Sequence, residues 1–349
     1  MTDTSRRRFL SLSAAALGAV SCAKTPVEAS PLPPLPHPPV APGAVPRRTL
    51  GATGAQVSVL GLGGFHLGQA NTLEEAKQIV AEALDAGINF FDNAWEYNDG
   101  KSEDWLGKAL AGKRDRAFLM TKVCTHGRDH TVAQEQLEQS LKRLGTEYLD
   151  LWQVHECVYD NDPDLHFAKD GVIRALEDAK KAGKVRFVGF TGHKSPSIHQ
   201  KMLSHGFAFD TVQMPLNVFD ANFRSFEREV LPHAAAKNMG VIGMKSLGGT
   251  GQAILEGVVT IEEALRYAMS VPGVSVTVSG CDSLAILRQN LAIARDFKPL
   301  AAAEMQALRE RTADQAGDGH FELYKTSTRF DAKVGREQHG YPSQEELPL

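Results

Sequence analysis

The sequence predicts an α/β protein whose main unit is a (β/α)₈ barrel, with an N-terminal hairpin and a C-terminal extension of helices and loops. Short apolar runs alternate with segments of helical period over about 250 residues, the usual size of such a barrel. Helical periodicity is clearest at 73–86, 133–144, 172–182 and 261–268. Eight runs are predicted to be the strands: 59–64, 88–93, 117–123, 148–155, 185–191, 211–215, 241–245 and 274–279.

The barrel is predicted to occupy residues 47–349, with additions at both of its ends. Residues 48–50 and 56–59 flank a glycine-containing turn, Gly51-Ala-Thr-Gly54, which is typical of a short hairpin. We expect this hairpin to close the bottom of the barrel. From about residue 301 onward the sequence predicts a further helix and a tail.

Residues 1–23 have the pattern of a secretory signal: a basic start, a short apolar stretch and small residues at the end. The segment Ser5-Arg-Arg-Arg-Phe-Leu10 resembles the twin-arginine export signal. This resemblance implies the twin-arginine translocase as a partner. It also implies export across the bacterial inner membrane, to a periplasmic or an outward-facing membrane-anchored location.

Two ways of processing the signal remain open. Cys22 in Ala19-Val-Ser-Cys22 resembles the lipidated cysteine of a lipoprotein, whereas ordinary cleavage after Ala23 or Ala29 competes with it. Residues 24–46 are predicted to be a linker, because the segment 26–46 holds nine of the seventeen prolines. Such a segment favours extended polyproline II and suits a tether.

Composition excludes several classes of function. The apolar content of 42% and the charged content of 23% are ordinary for a globular protein. A formal charge of −4 argues against a nucleic-acid partner held through phosphates. No apolar run reaches the roughly 20 residues of a membrane span. The four cysteines form no C-x-x-C pair and no metal motif is evident, so we expect no metal site.

Polar residues follow three successive predicted strands, where barrel enzymes place their chemistry. Asp92 and Tyr97 come at the end of the second strand, Lys122 ends the third and His155 ends the fourth. Reduction of a carbonyl needs a proton donor, and a free tyrosine with a pKa near 10 is a poor one. An adjacent lysine should lower that pKa, an aspartate should hold the lysine, and a histidine can orient the substrate.

The segments around these residues resemble the aldo-keto reductase family. They are Asp-Asn-Ala-x-x-Tyr at 92–97, Glu-Asp-Trp-Leu-Gly-Lys-Ala-Leu at 103–110 and Thr-Lys-Val at 121–123. The resemblance extends over residues 45–297 and reappears at 321–325. It implies a nicotinamide-dependent enzyme that reduces an aldehyde or ketone with NADP or NAD as cofactor. In it, Tyr97 is the proton donor, Lys122 tunes it, Asp92 pairs with the lysine and His155 orients the substrate.

The same resemblance implies a set of cofactor residues on the later strands. The nicotinamide carboxamide would contact Thr191 and Gln213 with Asn217, although the family often has Ser-Asn where this chain has Thr191-Gly192. The pyrophosphate would be wrapped by Lys245, Ser246, Leu247 and Gly248, and the adenosine phosphate would lie on Gly280, Gln289 and Asn290. The run Gly61-Leu-Gly-Gly64 lacks the third glycine of a dinucleotide fingerprint, so we interpret it as a glycine-rich strand and loop.

The preference for NADP is in doubt. The family arginine that binds the 2′-phosphate stands four positions before Asn290, and here that position is Ile286. Arg288 could replace it only if its side chain points into the site. We therefore expect weaker discrimination between NADPH and NADH than the family usually shows.

Two further functions fit the same resemblance. One is a non-enzymatic nicotinamide-binding sensor or subunit, and the other is a sugar or alcohol dehydrogenase working in the oxidative direction. The state of the thiols is also open, because Cys124 and Cys157 follow consecutive strands and could form a disulfide or remain free. The loops at 156–168 and 314–328 are expected to set the choice of substrate.

Overall fold

The structure, a computed structural model, describes residues 32–35, 41–124, 126, 129–295 and 297–346. The predicted signal peptide, with the arginine pair and Cys22, lies outside the described residues. Residues 24–31 and 36–40 of the predicted linker also lie outside them.

Eight parallel strands, β3 to β10, close into a barrel in the order β10-β3-β4-β5-β6-β7-β8-β9. The closure is made where β10 pairs with β3, with Val278 opposite Gly61. The predicted fold class is therefore confirmed, and each strand lies within two residues of its predicted bounds. The strands are β3 (Leu60–Gly63), β4 (Phe90–Asp92), β5 (Phe118–Val123), β6 (Leu149–Val154), β7 (Val185–Thr191), β8 (Thr211–Pro215), β9 (Gly240–Met244) and β10 (Val274–Gly280).

The predicted hairpin consists of β1 (Arg47–Thr49) and β2 (Gln56–Ser58), which pair antiparallel. Its apolar side chains Leu50 and Val57 are fully buried and pack into the barrel interior. Gly51 has a φ of +50°, and a Cβ there would come 2.2 Å from the backbone nitrogen of Gly240, so the turn requires glycine. The hairpin closes the bottom of the barrel, as predicted.

Amphipathic helices cover the outside of the barrel. In α2, for example, the Thr72 side chain accepts a hydrogen bond from the Glu75 amide at 3.1 Å and so caps the helix. Its buried residues recur at helical spacing (76, 79, 80, 83 and 84), which gives one apolar face toward the sheet. The helices are α1 (Gly64–Leu67), α2 (Leu73–Asp85), α3 (Lys101–Leu110), α4 (His130–Leu144), α5 (Asp162–His166), α6 (Val172–Lys181), α7 (Pro196–Ser204), α8 (Phe226–Glu229), α9 (Leu231–Ala236), α10 (Gln252–Leu255), α11 (Ile261–Ser270), α12 (Leu284–Arg295), α13 (Ala302–Ala316), α14 (Leu323–Thr326) and α15 (Lys333–His339).

Short 3₁₀ turns connect many of these elements. They lie at Gly51–Thr53, Tyr97–Gly100, Arg114–Arg116, Asp220–Asn222, His320–Glu322, Thr328–Phe330 and Gln344–Glu346. Within the described residues, no helix combines the length and the apolar character that crossing a membrane requires.

The C-terminal extension is fastened to the barrel by a buried ammonium group. Lys325 Nζ donates to Asp220 Oδ1 at 2.7 Å, to Glu322 Oε2 at 2.9 Å and to the Phe223 carbonyl at 2.8 Å. An ammonium group has three donors, so this contact set satisfies all of them. Asp220 lies in the loop after β8, so the network fixes the tail against the carboxyl end of the barrel.

Part of the predicted linker lies against the opposite end. Leu35 packs against the interior apolar cluster beneath the hairpin, and the Arg186 guanidinium donates to the Pro33 carbonyl. Residues 32–35 therefore contact the barrel directly.

Candidate active site

The carboxyl ends of β4, β5 and β6 bring the four predicted catalytic residues together. Asp92 ends β4, Lys122 lies in β5, His155 directly follows β6, and Tyr97 begins the 3₁₀ turn after β4. Parallel neighbouring strands align their carboxyl ends, which is why residues distant in sequence meet at this rim of the barrel.

Lys122 is the centre of this group. Its Nζ donates to Asp92 Oδ1 at 2.6 Å, to the Asn93 carbonyl at 2.8 Å and to the Tyr97 hydroxyl oxygen at 3.4 Å. Asp92 is in turn held by Gln213 Nε2, which donates to Asp92 Oδ2 at 2.7 Å across the barrel. Because the lysine donates to the tyrosine oxygen, the phenolic proton remains available to a group on the other side.

Local backbone geometry fixes the position of Tyr97. Asn98, Asp99 and Gly100 follow it with φ values of 52°, 55° and 85°, all in the left-handed region. Asparagine and aspartate tolerate this region better than most side chains. Asn98 Nδ2 donates at 2.8 Å to the Phe65 carbonyl, which holds the turn against the first barrel loop. Gly100 adopts this conformation without strain, whereas Asn98 and Asp99 carry a cost that is compatible with a functional loop.

The protonation of Tyr97 differs from the expectation. Burial raises the pKa of its hydroxyl well above the ordinary value, and the Asp92 and Glu96 carboxylates raise it further. The structure therefore does not show the lower pKa that we expected from the adjacent lysine, because burial of the phenol, and after it the nearby carboxylates, favour the neutral form. The phenol is protonated at neutral pH.

His155 lies beside Tyr97, with the ring centroids 5.5 Å apart and the planes at 76°. Its Nδ1 is paired with Glu96 Oε1. Donation from the other ring nitrogen then requires a doubly protonated ring. Glu96 was not singled out from the sequence. It lies in the Asp-Asn-Ala-x-x-Tyr segment directly before Tyr97, but its spacing carries no signal for a partner on another strand.

A cleft of about 400 Å³ extends from Asp92 and Tyr97 toward the ends of β9 and β10. Seven of the nine predicted cofactor residues line it: Gln213, Lys245, Ser246, Leu247, Gly280, Gln289 and Asn290. Gly249 and Gly251, with φ values of 80° and 73°, also line it, and glycines let a backbone approach an anion closely. The cleft therefore suits an extended nucleotide whose reactive end lies at Tyr97.

Two predicted cofactor residues, Thr191 and Gly248, lie outside the cleft, and so does Asn217, which was expected to contact the carboxamide with Gln213. Thr191 is buried, and its hydroxyl contacts Met244 Sδ at 4.0 Å. Gly248 packs against the tail, where a Cβ would come 2.8 Å from the Phe321 carbonyl. Asn217 donates to the Tyr324 hydroxyl at 2.9 Å. None of the three lines the cleft in the described structure, and the last two are covered by the C-terminal tail.

Among the described residues, no arginine lines the end of the cleft where the sequence predicts adenosine. Ile286 lines the cleft, as its position predicted. Arg288 faces away, donating to Glu82 through two nitrogens at 2.9 and 3.0 Å. Asp282 lines the cleft as well and adds a carboxylate near Gly280. The sequence alone could not exclude Arg288, since the choice depended on the direction of its side chain.

Gly280 lies against the side chain of His66. A Cβ at this position would come 2.0 Å from His66 Nδ1. His66 lies in α1, directly after the glycine-rich strand β3, and burial lowers the pKa of its imidazole. The interpretation of the glycine run as a strand and loop is consistent with this placement, since Gly61 and Gly63 are residues of β3.

A second cavity, of about 560 Å³, adjoins Tyr97 on the side away from the nucleotide cleft. Phe65, Glu96 and Glu156 line one side of it, and residues 329–337 of the tail line the other. The two loops that are predicted to set the choice of substrate contribute little to the lining of this cavity. Only the beginning of 156–168 reaches this cavity, and the tail contributes residues beyond 314–328.

The three cysteines of the barrel are free thiols. Cys124, Cys157 and Cys281 are all buried and none is in a disulfide. Burial raises the pKa of the Cys124 and Cys157 thiols well above the ordinary value, and nearby carboxylates add to the effect. Cys124 and Cys157 therefore do not form the disulfide that their positions after consecutive strands left open.

Similarity to known proteins agrees with this geometry. A sequence profile of the aldo/keto reductase family matches residues 59–255. Aldo-keto reductase YhdN of Bacillus subtilis is 34% identical over 197 residues, covering 52% of this chain and 56% of YhdN. The 6-dehydroglucose reductase of Novosphingobium aromaticivorans is 29% identical over 249 residues, covering 66% of this chain and 79% of that protein.

Two solved structures share the fold. Aldo-keto reductase AKR11C1 from Bacillus halodurans has a TM-score of 0.65 at 24% identity, covering 76% of this chain and 96% of that chain. An aldo/keto reductase from Klebsiella pneumoniae, solved in complex with NADP and acetate, has a TM-score of 0.63 at 23% identity, covering 77% and 96%. The family match, the barrel and the strand-end residues agree: this chain belongs to the aldo/keto reductase family of oxidoreductases.

Proposed function

We propose that this protein is an NAD(P)H-dependent reductase of an aldehyde or ketone, with Tyr97 as the proton donor. The observation that carries the proposal is the contact set of Lys122. Its three donors are used by Asp92, the Asn93 carbonyl and the Tyr97 oxygen. Only the tyrosine among these acceptors holds a proton that it can pass on.

The proton donor is neutral and lies between the two cavities. A raised pKa keeps the Tyr97 phenol protonated before reaction. As the proton leaves for the carbonyl oxygen, negative charge develops on the tyrosine oxygen, 3.4 Å from the Lys122 ammonium. An ammonium already aimed at that charge needs little reorganisation, which is how electrostatic stabilisation lowers a barrier.

Residues of the cleft suit the nicotinamide nucleotide. When bound, the reduced nicotinamide supplies the hydride. Gln213 lines the cleft and also donates a hydrogen bond to Asp92. It can therefore orient both the nicotinamide and the aspartate that holds Lys122. Lys245 and Ser246 line the cleft midway and suit the pyrophosphate. Gln289 and Asn290 line its far end, where adenosine would lie.

The substrate class can be found by assaying the protein with a panel of carbonyl compounds. Two relatives are named 6-dehydroglucose reductase and L-galactose dehydrogenase, the second being 34% identical over 155 residues. Sugars and their oxidised forms therefore belong in the panel beside simple aldehydes and ketones.

The test is oxidation of NADH and NADPH by the purified protein across this panel, followed by the absorbance of the reduced nicotinamide. We expect turnover with at least one carbonyl compound. Tight binding of the nucleotide without turnover in either direction would favour a sensor. Faster turnover with alcohols or sugars and the oxidised nucleotide would favour a dehydrogenase.

We further propose export through the twin-arginine translocase, supported by the sequence of residues 1–23. Replacing Arg6 and Arg7 together by lysine keeps the charge but removes the receptor-read pair. We expect the double variant to remain in the cytoplasm in a bacterial fractionation. If it still leaves the cytoplasm, the export proposal is wrong. In the otherwise unchanged chain, Cys22→Ala tests the anchor separately, since it releases the protein from membranes only if Cys22 is lipidated.

A further inference from the structure

Three metal-ligating side chains meet at the outer rim of the barrel mouth: His126, Asp162 and His339, named here the rim cluster. His126 follows β5, Asp162 begins α5 and His339 ends α15. They are widely separated in sequence, which is why no metal motif is visible there. One ligand atom from each lies within 4.8 Å of the other two.

The separations in the rim cluster are long for hydrogen bonds. His126 Nδ1 lies 3.6 Å from Asp162 Oδ2, and His339 Nε2 lies 3.8 Å from Asp162 Oδ1. With zinc bonds of about 2.0–2.2 Å, tetrahedral ligand atoms stand about 3.4 Å apart. The rim cluster thus needs only small side-chain movements to surround such an ion.

The carboxylate is oriented by the backbone. Asp162 Oδ2 accepts hydrogen bonds from the amides of Val158 and Tyr159, both at 2.9 Å. Asp162 Oδ1 is buried and has no hydrogen bond within the described part of the chain. A buried carboxylate oxygen without a donor is costly, and a cation at that oxygen removes the cost.

The ring of His339 is oriented as a ligand. Its Nδ1 lies 3.0 Å from the Gly335 carbonyl, an acceptor, so Nδ1 holds the proton there. In a neutral ring Nε2 then presents a lone pair. This atom faces two oxygens, Asn161 Oδ1 at 3.3 Å and Asp162 Oδ1 at 3.8 Å. A backbone carbonyl on the far ring nitrogen is the usual support of a metal-bound histidine.

His126 completes the set. It is fully buried, and neither of its ring nitrogens has a hydrogen bond among the described residues. Its φ of 44° is in the left-handed region, a conformation that costs energy for a histidine. The aromatic ring of Tyr159 lies 3.7 Å from His339 and 5.7 Å from His126, centroid to centroid, and shields the cluster from water.

We propose that His126 Nδ1, Asp162 Oδ1 and His339 Nε2 bind one divalent transition-metal ion, Zn²⁺ by preference, with Asn161 Oδ1 or water as the fourth ligand. Two imidazoles and one carboxylate are a ligand set that zinc takes in proteins. The ion would join the loops after β5 and β6 to α15. Tail residues between 329 and 337 line the second cavity beside Tyr97, so the ion would hold one wall of that cavity in place.

A competing set lies at the catalytic centre. Glu96, Cys124 and His155 also place one ligand atom each within 4.8 Å of one another. In this set His155 Nδ1 is already paired with the Glu96 carboxylate, so a metal ion there would have to break that pair. His155 also serves the proposed reaction. A substitution in this set can therefore serve as a control for zinc binding at the rim cluster.

The experiment is a calorimetric titration of the chelator-treated full-length protein with Zn²⁺ alone, together with elemental analysis of the protein as purified. We expect one ion per chain. His339→Ala should weaken binding by more than about a hundredfold, because a ligand is lost rather than a supporting residue. Asp162→Asn keeps an oxygen for the two amides and should weaken binding as well.

Two control variants separate the sites. His320→Ala removes an exposed histidine of the same C-terminal region, paired with Asp318, and should leave zinc affinity unchanged. Cys124→Ser should also leave it unchanged. Zn²⁺ should raise the melting temperature of both control variants and of the unaltered chain, but not that of His339→Ala.

Two results would overturn the proposal. One is the absence of stoichiometric zinc binding to the unaltered chain, in which case the rim cluster is a network of protein ion pairs. The other is binding that survives both His339→Ala and Asp162→Asn.

Discussion

The two sides of the barrel mouth differ in how their polar groups are satisfied. On the side of β4 to β6, where the proposed catalytic residues lie, Lys122 contacts Asp92 at 2.6 Å and Tyr97 at 3.4 Å. On the nucleotide side, at β9 and β10, Lys245 and Asp282 line an open cleft. The polar groups of the first side are therefore paired with one another, whereas the charged groups of the second side face a cleft that suits a nucleotide.

This difference separates two kinds of function. The proposed catalysis depends on groups whose positions are fixed by neighbouring strand ends. Removing one of these groups should therefore lower kcat and leave the affinity for the nucleotide unchanged. Cofactor preference depends on a few side chains around the predicted adenosine end. Substitutions there should therefore change the affinity for the cofactor and leave the rate of the chemical step unchanged. Each side can therefore be tested by substitutions that spare the other.

The largest effect is expected for Tyr97→Phe. The phenylalanine ring keeps the packing against Phe65 and His155, whose ring centroids each lie 5.5 Å away, but it cannot donate a proton. A general acid contributes about 10² to 10⁴ in rate, so kcat should fall by that factor. Fluorescence titration should give an unchanged dissociation constant for the nucleotide.

Tyr148→Phe is the matched control, because Tyr148 precedes β6 at the opposite end of the barrel and its ring packs on Arg114. It should keep full turnover. If Tyr97→Phe retains more than about a third of the unaltered turnover, Tyr97 is not the proton donor.

On the nucleotide side, Ile286→Arg should tighten NADPH binding by about tenfold to hundredfold and leave NADH binding nearly unchanged. One charge-assisted hydrogen bond to the 2′-phosphate is worth roughly 1.5–3 kcal/mol. Both cofactors are titrated by fluorescence in the unaltered protein and in the variant.

Arg288→Gln is the comparison for this substitution, because Arg288 is paired with Glu82 outside the cleft. It should change neither affinity. A strong NADPH preference in the unaltered protein that Arg288→Gln abolishes would show that Arg288 turns toward the phosphate on binding.

A smaller effect is expected for Asp282→Asn. Its carboxylate lines the adenosine end and repels a 2′-phosphate, with a Coulomb energy of at most about 1 kcal/mol in a solvated cleft. The variant should therefore bind NADPH about twofold to fivefold more tightly, and the gain should shrink at high salt. Tighter binding of NADH by the same factor would show that the effect is not one of charge.

Much of this molecule could be predicted from its sequence. The eight strands and the plugging hairpin follow from apolar runs of barrel spacing. The clustering of the four proposed catalytic residues follows from their positions at strand ends. Side-chain direction could not be predicted in the same way. Arg288 could have faced the cleft, and only its contact with Glu82 shows that it does not.

Contacts made by the tail were equally hidden. Tyr324 of the tail covers Asn217, and other tail residues line the second cavity beside Tyr97. Neither contact has a signature in the local sequence. The pKa of Tyr97 was misjudged for a related reason. A lysine nearby was visible in the family pattern, but the burial of the phenol, which is the largest cause of the raised pKa, depends on the tertiary structure.

The most direct test of the central claim is transfer of deuterium from the nucleotide. The protein is given NADH or NADPH labelled with deuterium at the hydride-donating carbon, together with a carbonyl compound that it accepts. The mass of the alcohol formed in one turnover is then measured. We predict one deuterium per alcohol with the unaltered protein, and a rate of label transfer slower by about 10² to 10⁴ with Tyr97→Phe. Binding of the nucleotide with no label in any product, or equal rates in the two proteins, would contradict the account.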